Sequence, residues 1–192
     1  KPCWQKRCFI MFRVLIIFFI LNFCNPAFSS TKQKILSRIQ LTNNLSFDFV
    51  QTIGDKSENG RCIIEYPKKI WCEYNNSNKK IIVSNGKSLV IKNRNSRNYY
   101  IYPLRKTPLE FLLNKKYLIS KINILEPREI NSKYLNFKIL ENNNEINIFF
   151  DKKNLNLIGW QTEDIYQNFA VTFISSVKIN QKINNKIFIL PK

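Results

Sequence analysis

Cys62 and Cys72 are the two residues whose types and spacing bear most directly on chemistry. Folding the stretch Gly60–Tyr74 as a β-hairpin about Pro67 sets Cys62 opposite Cys72, Ile64 opposite Ile70 and Ile63 opposite Trp71. The same register brings Arg61 against Glu73 and Glu65 against Lys69, the opposite-charge pairs that stabilise neighbouring strands. A slip of one residue would break every pair and exchange the two faces. Cys62, Ile64, Ile70, Cys72 and Tyr74 then share one side of a sheet. Two facing cysteines in an exported chain form a disulfide, or else pack as two buried thiols that behave as small hydrophobes. Both readings stand at this point.

Other reactive groupings are missing from the sequence. It contains no histidine, which excludes Ser-His and Cys-His nucleophiles and any Cys-His metal site. The 13 acids are dispersed, and Glu163-Asp164 is the one adjacent pair. Neighbours on a strand point to opposite faces, so that pair makes no catalytic dyad. Four glycines assemble no phosphate-binding loop. The expectation is a protein that is not an enzyme and uses neither cofactor nor metal.

The N-terminal residues point to export. Met11-Phe-Arg13 leads into an apolar run, Val14–Phe23, followed by Asn25-Pro-Ala-Phe-Ser-Ser30 with small residues Ala27 and Ser29 at the −3 and −1 positions of a cleavage site. Residues 1–29 are therefore expected to comprise ten residues upstream of a start at Met11 and then a signal peptide cleaved near Ser29. An uncleaved anchor is the alternative, but the run is short of the roughly 20 apolar residues that a span needs. Cys24 follows the bulky Phe23, which does not suit a lipoprotein signal. The expected compartment is the periplasm, and residues 30–192 are expected to form one domain with its own core.

Charge adds less than its size suggests. Against 31 Lys and Arg stand the 13 acids, a formal balance of +18. The cations are scattered rather than gathered in a stripe, and the chain is rich in Lys, Asn, Ile and Phe, the products of AT-rich codons. Nucleic acid is not the expected partner. Binding to a surface polyanion remains an alternative.

Strands dominate the remaining pattern. A helix is expected over Lys32–Thr42, with Ile35, Leu36 and Ile39 on one face. A strand follows over Phe47–Gln51, with Phe47 and Phe49 pointing the same way, and a loop over Gly54–Asn59. Lys80–Ser84 and Lys87–Ile91 flank Asn85-Gly86, a type I′ hairpin signal. After a strand at Tyr99–Tyr102, Thr107-Pro-Leu-Glu110 has the form of a capping box that opens a helix of about two turns, with Leu109, Leu112 and Leu113 as its apolar face. Further strands are expected over Tyr134–Leu140, Glu145–Phe150, Leu155–Thr162, Phe169–Val177 and Lys186–Leu190, with turns at Asn142–Asn144 and Tyr166–Asn168. The expected class is mainly β with helices (α+β): a single curved antiparallel sheet or incomplete barrel, covered by helices.

Several short motifs in this order resemble one family. They are Phe49-x-Gln51, Gly60, Tyr66-Pro67, Glu73, Val83-Ser-Asn-Gly-Lys87, Tyr102-Pro-Leu104, Thr107-Pro-Leu109, Leu157-x-Gly-Trp160 and Phe188-x-x-Pro191. Together they resemble the periplasmic outer-membrane lipoprotein carriers, LolA. The resemblance implies an eleven-stranded unclosed β-barrel with an α-helical lid. It also implies a monomeric shuttle that takes acylated lipoproteins from an inner-membrane ABC transporter to an outer-membrane acceptor. Family members often carry arginine before the hairpin proline, where it helps hold the lid closed. Here that position is Tyr66, whose hydroxyl is the expected substitute latch to a lid carbonyl. The cysteines stand where cavity-facing apolar residues are usual.

With the resemblance in place, the inward apolar positions become candidate walls of an acyl-binding cavity. These are Phe47, Phe49, Ile64, Ile70, Tyr74, Ile82, Leu89 and Trp160 on the sheet, with Leu109, Leu112 and Leu113 on the lid. A related lipid-sensing half-barrel is the other reading of the same features.

Overall fold

Eleven strands form one sheet because nearly every segment alternates apolar and polar residues, and each pairs with a neighbour a short turn away. A computed structural model describes residues 30–76, 79–95, 98–141, 144–163 and 168–191. The expected leader, Cys24, Asn142, Asn143, Asp164, Tyr166 and Gln167 lie outside the described residues. Helix α1 (Thr31–Leu41) is followed by β1 (Asn44–Ile53), β2 (Lys56–Glu65), β3 (Lys69–Tyr74), β4 (Lys80–Asn85), β5 (Ser88–Asn93) and β6 (Tyr99–Pro103). A 3-10 turn (Leu104–Lys106) leads to α2 (Leu109–Leu112) and α3 (Lys115–Ile124). The chain continues with β7 (Arg128–Ile130), β8 (Tyr134–Glu141), β9 (Asn144–Asp151), β10 (Leu157–Glu163), β11 (Phe169–Ile179) and a second 3-10 turn (Asn185–Phe188). The strand order is β6-β5-β4-β3-β2-β1-β11-β10-β9-β8-β7, antiparallel throughout, with β6 and β7 as unjoined edges. This is the unclosed barrel with helices that the sequence leads one to expect.

The β2–β3 register pairs Cys62 with Cys72, Ile64 with Ile70, Ile63 with Trp71, Arg61 with Glu73 and Glu65 with Lys69. The cysteines are joined as a disulfide, with S–S 1.96 Å and Cα–Cα 4.1 Å. Inner-face residues of the sheet and Ile35, Leu36, Leu112, Leu113, Leu118 and Ile122 of the helical segments bury one another in a common core. The two longer helices run in opposite directions against each other. Lys32, near the start of α1, reaches the Leu125 carbonyl after the end of α3 (3.3 Å), while Lys115 at the start of α3 reaches the Gln40 and Thr42 carbonyls at the end of α1 (3.0 and 2.9 Å). No helix among the described residues is long and apolar enough to cross a membrane.

Five expectations need correction. The Gly54–Asn59 loop shrinks to a turn at Gly54-Asp55, because Lys56–Asn59 pair with Val50–Ile53. At the second hairpin, positive φ falls on Gly86 alone (+97°), while Asn85 stays in β4 and its Oδ1 accepts from the Lys87 and Ser88 amides. Thr107 caps no helix: its hydroxyl donates back to the Leu104 carbonyl (2.8 Å), and α2 is a single turn. Leu155 is not in a strand but adopts φ +60° in the β9–β10 turn, which is organised by Asp151 Oδ1 accepting from the Lys153 and Asn154 amides. Lys186–Leu190 is not a strand either. Both sides of β11 are already paired, so the chain crosses to the outer face, where Asn184 caps the 3-10 turn and Phe188 is buried against β3 and β4.

The hairpin yields two predictions. A Cβ at Gly60 would stand 2.1 Å from the Glu73 carbonyl oxygen and 2.9 Å from the Tyr74 Cα, both backbone atoms. Gly60→Ala should therefore destabilise the fold by about 1–3 kcal/mol, the usual penalty of overpacking, read as a lowered denaturation midpoint. The cysteines of the native protein should resist alkylation until reductant is added, as checked by mass measurement.

Candidate functional site

The inner face of the sheet is divided into rungs by the strand registers. Leu45, Ile64 and Ile70 stand in line across β1, β2 and β3. The next rung is Phe47, Cys62, Cys72 and Ile82, and beyond it come Phe49, Gly60 and Tyr74. A cavity of about 460 Å³ lies over the first rung, within the roughly 300–1,000 Å³ of ligand pockets. Val177 and Ile179 of β11 continue that floor, with Ile179 paired beside Leu45, and the wall beyond them is Ile148 and Phe150 of β9 with Leu157 and Trp160 of β10. The roof is Ile39 and Leu41 of α1, then Leu109, Leu112, Leu113, Leu118 and Ile122.

Ile64, Ile70, Trp160, Leu109, Leu112 and Leu113 thus line the cavity, whereas Phe47, Phe49, Tyr74, Ile82 and Leu89 do not. Phe47 meets Trp160 edge to face at 5.9 Å, and Phe49 meets Tyr74 in the same manner at 4.9 Å. These rings fill the far end of the sheet as packed core. The Tyr74 hydroxyl donates to Gln51 Oε1 (3.0 Å), and burial, with Glu58 nearby, raises its pKa. Ile82 is half-buried on the second rung, and Leu89 lies two strands beyond Ile70. Alternation gives the face of a residue but not its distance along the strand, which decides cavity or core.

Val177 and Ile179 were missed for a related reason. In β11 the buried residues are Ala170, Thr172 and Ile174, and a period of two would next turn Ser176 and Lys178 inward. A bulge intervenes: Ser46 pairs with Lys178 but Asp48 with Ser175, and Ser176 has φ +53°. The extra residue re-aims the strand, bringing Val177 and Ile179 to the cavity. Helix α3 was also missed, although Asn114 Oδ1 caps it by accepting from the Tyr117 amide (3.2 Å) and Leu118 and Ile122 share one face. Its far side is tied to β8, where hydrogen bonds from Lys121 and Tyr117 hold the Glu141 carboxyl below its ordinary pKa.

The lid is fastened to the hairpin turn by Lys68, not by Tyr66. The Lys68 amide donates to the Leu113 carbonyl (2.9 Å), and its ammonium pairs with Glu110 (2.5 Å). The Tyr66 hydroxyl makes no hydrogen bond to a lid carbonyl among the described residues. Its ring faces the cavity, with the Lys115 ammonium 5.8 Å from the centroid, and burial pushes the phenol up to about 12. The charge of a latch is present, but two residues further along the chain. Glu110→Lys should set two cations against each other and loosen the lid. A partly exposed ion pair is worth roughly 0.2–1 kcal/mol, so exchange of the Lys68 amide proton should speed several-fold while that of Ile64 stays unchanged.

The arrangement offers an apolar chamber under a roof attached by buried apolar side chains and by polar contacts at its rim, with no cluster of metal-ligating side chains among the described residues. Against known families, residues 40–190 match the model described as Outer membrane lipoprotein carrier protein LolA. In fold the chain is similar to the crystal structure of an uncharacterized conserved protein from Thermus thermophilus, at 10% identity and TM-score 0.50, covering 85% of this chain and 96% of that one. It is likewise similar to a putative outer membrane lipoprotein-sorting protein domain from Vibrio parahaemolyticus, at 8% identity and TM-score 0.50, covering 83% and 94%. At such identities the likeness concerns fold alone. No curated protein matches the chain.

Proposed function

The chain belongs to the LolA family of outer membrane lipoprotein carrier proteins, and from that premise we propose that it is an exported, monomeric and non-enzymatic carrier. It holds the acyl chains of lipoproteins in the cavity under α2 and α3. In this reading it is loaded in the periplasm by an inner-membrane ABC transporter and delivers to an outer-membrane acceptor. The cavity carries the proposal, since its walls are almost wholly aliphatic and aromatic.

The energetics favour such a role. Each methylene moved from water into an apolar site is worth about 0.8 kcal/mol, so a fatty chain does not cross an aqueous compartment bare. Transfer from a bilayer to an apolar cavity exchanges one hydrocarbon surrounding for another and is nearly neutral. Loading and release then turn on small terms, of the size of the Lys68–Glu110 and Lys68–Leu113 contacts that hold the lid. The absence of histidine from the sequence supports a role that requires binding rather than reaction.

Displacement of a fluorescent fatty acid tests the reading. Wild-type protein should bind the probe. Leu112→Glu and Ile70→Glu each place a carboxylate in the cavity, where an unpaired charge is costly or must take up a proton, and should bind at least about tenfold more weakly (about 1.4 kcal/mol) while thermal melts show both variants folded. Failure of the wild-type protein to bind any acyl probe would overturn the carrier function.

A further inference from the structure

Arg38 is the single charged side chain among the residues that line the cavity. It stands at the mouth, in the last turn of α1, beside Thr42 and Asn156. Thr42 Oγ1 donates to the Arg38 carbonyl (2.8 Å). One guanidinium nitrogen, Nη1, donates to the Asn154 carbonyl (2.5 Å) and to Asn156 Oδ1 (2.6 Å), both neutral acceptors. Among the described residues no carboxylate pairs with Arg38, and none of them partners its Nε–Nη2 edge.

This polar corner gives the chamber a direction. Aliphatic walls accept a hydrocarbon chain in any orientation, but a lone cation at one end favours a ligand whose anionic group sits there. The Nε–Nη2 edge is a planar pair of donors whose geometry matches two oxygens of a carboxylate or phosphate. Fastening α1 to the β9–β10 turn occupies Nη1 only and leaves that edge for a ligand. A cation in the last turn also suits the helix dipole, which accounts for the charge there but not for its place among the residues that line the cavity.

We propose that the ligand is an acyl amphiphile with an anionic group at the root of its chain, seated on the Nε–Nη2 edge of Arg38 with the hydrocarbon in the chamber. The inference rests on the acyl-carrier reading and names the ligand class of the same site. Two sources supply this chemistry: the carboxylate of a free fatty acid, or an acidic residue next to an acylated cysteine.

Binding of laurate against dodecanol, and of lauroylated Cys-Glu amide against lauroylated Cys-Gln amide, separates these sources. The wild-type protein should prefer the anionic member of at least one pair by about tenfold, the scale of a charge-assisted bidentate contact at a partly exposed site. Whichever pair shows the preference identifies the source. Arg38→Gln should erase it, and Arg38→Lys should retain part of it. Equal binding within both pairs by the wild-type protein overturns the proposal, whatever the stability of the variants. So does a preference that survives in a folded Arg38→Gln protein. If neither the charged nor the uncharged ligands bind, the carrier reading fails along with it.

Discussion

The pairing of β2 with β3 about Tyr66-Pro67 is the constraint on which the rest of the site depends. It aligns Ile64 with Ile70 as part of the cavity floor and closes the Cys62–Cys72 bridge one rung below. It also carries Lys68 to the lid, with φ +67°, so that the turn donates to Leu113 and pairs with Glu110. A shift of one residue would send Ile64 and Ile70 to the outer face and remove the turn from beneath the lid. Floor, bridge and latch therefore share a single register.

Polar and apolar contacts divide the work of holding the roof. Leu112, Leu113, Leu118 and Ile122 are buried and supply most of the attachment. At the rim the contacts are polar: Lys32 to Leu125, Lys115 to Gln40 and Thr42, Lys121 and Tyr117 to Glu141, and Lys68 to Leu113 and Glu110. The second group is partly solvated, so its individual contributions are small. Roof geometry is specified by many weak rim contacts over a strong apolar one.

Much of this was legible in the sequence. The hairpin register followed from charge and cysteine pairing, and the mainly β class from period-two alternation. Of the proposed walls, Ile64, Ile70, Trp160, Leu109, Leu112 and Leu113 line the chamber, while Phe47, Phe49 and Tyr74 belong to the packed end. What escaped was set by long-range structure. The bulge at Ser176 depends on the β1–β11 pairing, which joins segments more than a hundred residues apart. Thr107 carries the signature of a cap, but the helix begins one residue later with Pro108 at its N-cap position, and the Thr107 hydroxyl instead donates back to the Leu104 carbonyl. Arg38 reads as an ordinary surface cation until the β9–β10 turn is folded against it.

The two unjoined edges, β6 and β7, have a bearing on capacity. A closed barrel has a circumference fixed by its strand number and shear, and widening it breaks a ladder of hydrogen bonds. An open sheet changes curvature by small adjustments of twist spread over ten interfaces, each keeping its bonds. The chamber bounded by this wall is thus a vessel of adjustable bore. A ligand of greater girth would be met by flexing the wall rather than by altering its connections.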